Sequence, residues 1–166
     1  SYWPAEQYMN IWVCNLSDQF IGWAQPPESD LEGLEHSSTN RLTDGVVVWH
    51  GAFGSSDDGP FNLDPAFNKG RTTTHEVGHF FGLNHIWGDD PECVGTDYVS
   101  DTPNQGNRTH GCPAHPKTDN CGQVVMFQNF LDYTDDDCMN LFTQGQVTRM
   151  STVLENSPRR ASLLTS

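Results

Sequence analysis

Three short strand-forming runs near the N-terminus, two helical stretches further on and a cysteine-studded irregular segment between the helices predict an α+β fold. Residues 8–14 (YMNIWVC) are dense in aromatic and β-branched side chains, which fit a pleated, half-buried surface. Residues 20–24 (FIGWA) form a second short run, stopped by Pro26-Pro27. Asp44-Gly45 reads as a turn into Val46-Val47-Val48-Trp49, a continuous apolar run typical of a buried strand. Residues 51–70 are rich in Gly, Pro and Asp and read as a long surface loop.

Residues 72–83 have helical character, with Val77, Phe80 and Phe81 on one side of a 3.6-residue period. Residues 89–129 carry turn formers throughout, and a loop of that length in a compact domain needs staples. Thr143-Gln144-Gly145-Gln146 is a capping-box pattern. Val147, Met150 and Leu154 follow at helical spacing, so a helix is expected to about Asn156, before Pro158. Residues 159–166 carry no clear signal.

The chain has 166 residues, 35% of them hydrophobic, with 15 Gly and 10 Pro. That length suits one domain over 1–166. The charge sum is 8 − 22 = −14, a surface that repels phosphate backbones, so nucleic acid is excluded as an expected partner. Carboxylates in such numbers suit calcium or basic peptides, though a solvated surface accounts for most of them. No stretch approaches the ~20 apolar residues that span a bilayer, so no membrane partner is expected. The chain opens Ser1-Tyr2-Trp3-Pro4 with no leader pattern, which points to a processed or truncated product of a longer precursor.

Of the five cysteines, Cys93, Cys112, Cys121 and Cys138 cluster and Cys14 stands apart. In an acidic, Gly/Pro-rich chain the cluster reads as two disulfides in an oxidising, extracellular compartment, with three possible pairings. A cysteine zinc site is the rival, and no C-x-x-C supports it.

The strongest signal is His75-Glu76-Val77-Gly78-His79, followed by Gly82 and His85. On a helix, His75 and His79 are one turn apart and share a face, as two zinc ligands must. Glu76 lies beside them, placed to act as a general base on water. His85 is too far along a straight helix to join them. Gly82 removes that obstacle, because glycine takes the left-handed conformation that ends a helix and turns the chain back. Three neutral imidazoles leave a fourth position open, which is the catalytic arrangement of zinc. The competing reading is an amphipathic helix that carries histidines by chance.

H-E-x-x-H-x-x-G-x-x-H is the metzincin signature. Downstream, Asp97-Tyr98-Val99-Ser100-Asp101-Thr102-Pro103, Gly111-Cys112-Pro113, Asn129-Phe130-Leu131-Asp132-Tyr133 and Asp137-Cys138-Met139 narrow the likeness. From about Asn10 to Asn156 the chain resembles the pappalysin family of zinc metallopeptidases. That resemblance implies a metzincin catalytic domain: a twisted sheet and an active-site helix in an upper part, 1–85, and an irregular, disulfide-stapled lower subdomain, 86–166. It also implies strands and a helix ahead of Tyr8 that this sequence does not contain. The family's Met-turn methionine corresponds to Leu131, a leucine of similar volume, with Met139 nearby but out of place.

The resemblance implies roles residue by residue. Zinc would be held by His75, His79 and His85, with Glu76 as general base and Tyr133 donating to the developing oxyanion. Asp137 would sit at the bottom of the S1′ pocket and select Arg or Lys at P1′. Asp97, Asp101 and Thr102 would contribute to a calcium site. The implied disulfides are Cys93–Cys121 and Cys112–Cys138, leaving Cys14 as a buried strand residue or one without its partner. His36, His50, His110 and His115 are read as ordinary histidines, and Asn15 and Asn107 begin glycosylation sequons.

The implied function is a secreted, monomeric zinc metalloendopeptidase acting on proteins and peptides. The alternative is a catalytically silent zinc- and calcium-binding interaction module, against which the intact Glu76 and histidine set argue. Other metzincin types do not share the 97–103 and Asp137-Cys138 motifs.

Overall fold

The computed structural model describes residues 2–16 and 20–166. Ser1, and Ser17 of the first sequon, lie outside the described residues. Strands β1 (Asn10–Cys14), β2 (Gly22–Ala24) and β3 (Gly45–Trp49) form a sheet in the order β1-β3-β2. β1 runs parallel to β3, with Ile11 opposite Val46, and β2 runs antiparallel, with Trp23 opposite Val47. The valine run takes the centre, and Val46 and Val48 are fully buried. Both outer strands start later than their composition suggests. The N–H groups of Gln7 and Tyr8 bond back to the Pro4 carbonyl, closing a turn ahead of β1. Cys14 is a free, exposed thiol at the end of β1, not a buried one.

Helix α1 (Arg71–Phe80) packs on β2 and β3 through a cluster of Ala24, Val46, Val48, Ala52 and Phe80. It stops short of the expected Leu83 because Gly82 adopts φ 85°. The N–H of Gly82 bonds to His79 O and that of Leu83 to Gly78 O, a Schellman closure. A second cluster of Leu83, Ile86, Trp87, Phe130, Leu131 and Met139 lies under the other side of α1. A Cβ on Gly78 would sit 3.0 Å from Leu131 Cδ2, so the helix and this layer are in close contact. Leu131 is fully buried there.

The irregular segment is joined by Cys93–Cys121 and Cys112–Cys138, with Cα separations of 5.8 and 5.7 Å. In the chain-entropy model each closure is worth roughly 3–4 kcal/mol. Helix α2 (Gln144–Asn156) begins with a complete capping box, Thr143 accepting from Gln146 N and Gln146 from Thr143 N. The Gln146 amide also exchanges two hydrogen bonds with Asn129, at 2.7 and 3.1 Å. That exchange ties the start of α2 to the layer below α1.

The unsignalled tail supplies a deeply buried cation. Arg160 is 1% exposed and pairs with the Asp44 carboxylate at 2.8 and 3.0 Å. Its Nε–H donates to Phe80 O at 2.9 Å, and its guanidinium lies 3.4 Å over the Phe80 ring. Arg159 reaches the same carboxylate through its own Nε–H. Removing the shared anion leaves buried positive charge uncompensated. Asp44→Ala is therefore expected to cost ~3–5 kcal/mol in urea unfolding. Arg41→Ala, which breaks the exposed Arg41–Glu6 pair, is expected to cost about 0–1 kcal/mol.

Candidate metal centre

The Thr72-Thr73-Thr74 run is a weak helix former, so α1 depends on its surroundings. Its N-cap is Gly70 at φ 72°, which offers no side chain. The Asp136 carboxylate takes that place from 65 residues away, accepting from Lys69 N at 2.7 Å and Arg71 N at 3.1 Å. An anion there also suits the positive end of the helix dipole.

One turn apart on α1, His75 and His79 bring their Nε2 atoms to 3.0 Å. The Gly82 turn swings His85 back, with Nε2 at 3.1 Å from His79 and 3.3 Å from His75. Each of the three Nδ1 atoms faces an oxygen: Phe130 O at 2.6 Å for His75, Leu83 O at 2.7 Å for His79, Asp89 Oδ1 at 2.8 Å for His85. Those acceptors place each proton on Nδ1 and leave three Nε2 lone pairs aimed at one point. Lone pairs cannot bond to one another, so the arrangement calls for a cation between them. Nitrogens ~2.0–2.1 Å from the centre of a tetrahedron stand about 3.3–3.4 Å apart, close to the spacing seen. The donor set fits a single zinc ion. Burial and mutual repulsion lower the pKa of His79 to about 4 and that of His75 well below its usual value, keeping both neutral for a metal.

Trp87 stacks on the His85 ring at 4.3 Å with planes 8° apart, and Tyr133 meets it edge-on at 4.9 Å. The Asp132 carboxylate accepts from Thr109 N, Tyr133 N and the Gln105 amide, which fixes the backbone beneath Tyr133. Burial holds the Tyr133 hydroxyl above its usual pKa, so it remains a donor at neutral pH. Glu76 is 6% exposed, and burial pushes its carboxyl up to about 8. Gly22 of β2 comes so close that a Cβ there would collide with the Glu76 carboxyl group. His75, Glu76, Asp132, Tyr133, Asp136 and Met139 all line one cleft of about 250 Å³.

A family model described as pregnancy-associated plasma protein-A, peptidase M43, matches residues 1–155. The chain belongs to the peptidase M43 family. Among its M43 relatives, an extracellular metalloprotease of Arthroderma benhamiae is 37% identical over 144 residues, covering 86% of this chain and 49% of the relative. Extracellular metalloprotease 1 of Coccidioides posadasii is 41% identical over 146 residues, covering 87% and 49%. The chain thus spans about half the length of the curated relatives it matches. Mature mirolysin of Tannerella forsythia in complex with a cleaved peptide superposes with a TM-score of 0.84 at 48% identity, over 98% of this chain and 58% of that one. The fold is therefore the mirolysin-like metzincin fold of the M43 family.

Within this M43 site the neighbouring aspartates of the 135–137 run face different ways. Asp137 is exposed, bound to Lys69 Nζ at 2.6 Å, and does not line the cleft. Its neighbour Asp136 does line it and is 2% exposed. In a run of three aspartates the turn, not the composition, decides which one faces inward. His110, expected to be ordinary, is an exposed residue on the cleft wall. Asp89, which had no assignment, holds the third histidine.

The calcium candidates engage different partners. Asp97 is buried and accepts from the Thr102 hydroxyl, at 2.9 and 2.8 Å, and from Val99 N. Asp101 is exposed and accepts from Gly145 N in the first turn of α2 at 2.9 Å.

The Glu76 carboxyl carries a pH signature. In metal-free protein the folded state keeps its proton up to about pH 8, whereas the unfolded chain releases it near 4.5. The folded state therefore binds more protons between those values, and the contribution of Glu76 to stability falls as pH rises through them. Glu76→Gln is expected to raise the melting temperature of metal-free protein clearly at pH 8 and little at pH 5, measured by circular dichroism.

Proposed function

We propose that the chain is the zinc-binding catalytic part of a secreted metalloendopeptidase that cleaves proteins on the N-terminal side of Arg or Lys. The convergence of three Nε2 lone pairs beside Glu76, in an open cleft, carries this reading. Bound zinc would supply a Lewis acid for the scissile carbonyl and lower the pKa of water toward ~7. Glu76 would take the proton from the attacking water and return it to the leaving amine. The Tyr133 hydroxyl would donate to the carbonyl oxygen as negative charge develops. Extracellular localisation follows the naming of the M43 relatives. A silent binding module would have no use for a base buried against the metal site.

The basic preference rests on the cleft's acidic lining and its lack of cations. Its acidic groups are Glu76, Asp132 and Asp136, and no Lys or Arg lines it among the described residues. Asp136 is the carboxylate we assign to a P1′ cation, in place of Asp137. Calcium binding in the 93–121 loop through Asp97, Asp101 and Thr102 is a further part of the proposal. An oxygen-only donor set in a segment without regular structure supports it.

Peptide-library digestion tests the reaction and its preference together. Products should begin with Arg or Lys, and Glu76→Ala should abolish turnover while one zinc per chain stays bound. Asp136→Asn should slow Arg/Lys substrates by about ten- to a hundredfold relative to apolar ones. Asp137→Asn should change them by no more than about twofold. A larger effect at Asp137 would return the role to that residue. For calcium, zinc-loaded protein should melt higher in calcium than in a calcium-selective chelator, and identical melting curves would remove the site.

A further inference from the structure

We propose that Arg149 is a positioning residue for the metal centre, holding the Gly82 turn in the one arrangement that delivers both His79 and His85. The inference rests on the three-histidine zinc reading and extends it to a residue on another helix. Two of the three imidazoles depend on this turn. Leu83 supplies the carbonyl that orients His79, at 2.7 Å from Nδ1, and His85 leaves the turn two residues later. The turn's backbone stands at φ 85°, with the Leu83 N–H bonded back to Gly78 O. Such a closure satisfies the helix end but leaves the Gly82 carbonyl pointing away from it.

Arg149 meets that carbonyl from the middle of α2. Its Nε–H donates to Gly82 O at 2.7 Å, and its Nη2 donates to Glu32 O at 2.7 Å. One planar guanidinium thereby bridges the turn to the loop before β3, a geometry that two fixed donors can hold and a single ammonium cannot. The side chain is 9% exposed, so these bonds lie largely out of water. Among the described residues, no side chain outside the histidine triad donates to the backbone of residues 81–85 apart from Arg149. Space around the turn is also closed. A Cβ on Gly82 would approach Val153 Cγ2 to 2.9 Å and Leu34 Cδ1 to 3.0 Å. The base of α2 is in turn fixed by the Gln146–Asn129 exchange, and Asn129 directly precedes Phe130, whose carbonyl faces His75. α2 thus braces the carbonyls that orient His75 and His79 and the turn that leads to His85, Val153 by packing and Arg149 by a hydrogen bond to that turn.

The test uses zinc alone and cobalt(II) alone as probes on the full chain. Arg149→Met keeps the apolar stem and removes both donors, while Arg149→Lys keeps the charge with a single compact donor group. Competition with a chromophoric chelator should show zinc binding weakened by about tenfold or more in the Met variant. The Lys variant should fall between, weaker than wild type by about threefold or more. The visible spectrum of cobalt-substituted protein should shift in the same order, because ligand geometry changes. Val125→Ala, a cavity in the separate cluster of Val125, Phe127 and Cys138, controls for general loss of stability and should leave zinc affinity unchanged. Wild-type zinc affinity and an unshifted cobalt spectrum in both Arg149 variants would overturn the proposal even if they melt lower. If the Met variant does not fold, the Lys variant decides by the same two readouts. Failure of the wild-type chain to bind one zinc would instead overturn the three-histidine reading itself.

Discussion

Three hydrogen bonds, each from an imidazole Nδ1 to an oxygen, are the constraint on which the molecule turns. They put the Nε2 lone pairs of His75, His79 and His85 within 3.0–3.3 Å of one another, where only a cation relieves their repulsion. The oxygens come from three places: Phe130 in the layer below α1, Leu83 in the turn that ends it, and the Asp89 side chain beyond. A metal site of this kind is therefore as rigid as the contacts between α1, its terminal turn and the irregular segment. Leu131 beneath Gly78, the Gln146–Asn129 exchange and the two disulfides all act on those contacts.

Asp136 joins the two halves of the cleft. Its carboxylate starts α1 in place of a helix cap and, from the same position, lines the cavity beside Glu76. One side chain thus both starts the ligand helix and adds a carboxylate to the cleft wall. Cys138, two residues on, is bonded to Cys112, so the segment bearing Asp136 is stapled next to the metal site. At the other end of α1, Arg160 and Asp44 bury a charge pair against Phe80. The helix is held at both ends by ionic groups that are distant in sequence.

What depended on local spacing could be read in the sequence. The i, i+4 histidines, the Gly82 break, the capping box at Thr143 and the buried valine strand all follow from rules that act within a few residues. The family likeness added Leu131, Tyr133 and the cysteine pairing. What depended on side-chain direction within a run, or on partners far along the chain, could not be read. Asp135, Asp136 and Asp137 are alike in composition, and only the fold turns Asp136 inward and pairs Asp137 with Lys69. Arg149 and Arg160 look like surface arginines, yet each bonds to a carbonyl at the end of α1 or just after it. Asp89 was one acidic residue among several until its contact with His85 set it apart.

X-ray absorption at the zinc edge of the zinc-loaded chain addresses the three-imidazole centre most directly. The expected result is one zinc per chain, with three imidazole nitrogens at about 2.0–2.1 Å and an additional oxygen. A sulfur scatterer at about 2.3 Å, or imidazole scattering from fewer than three rings, would contradict it.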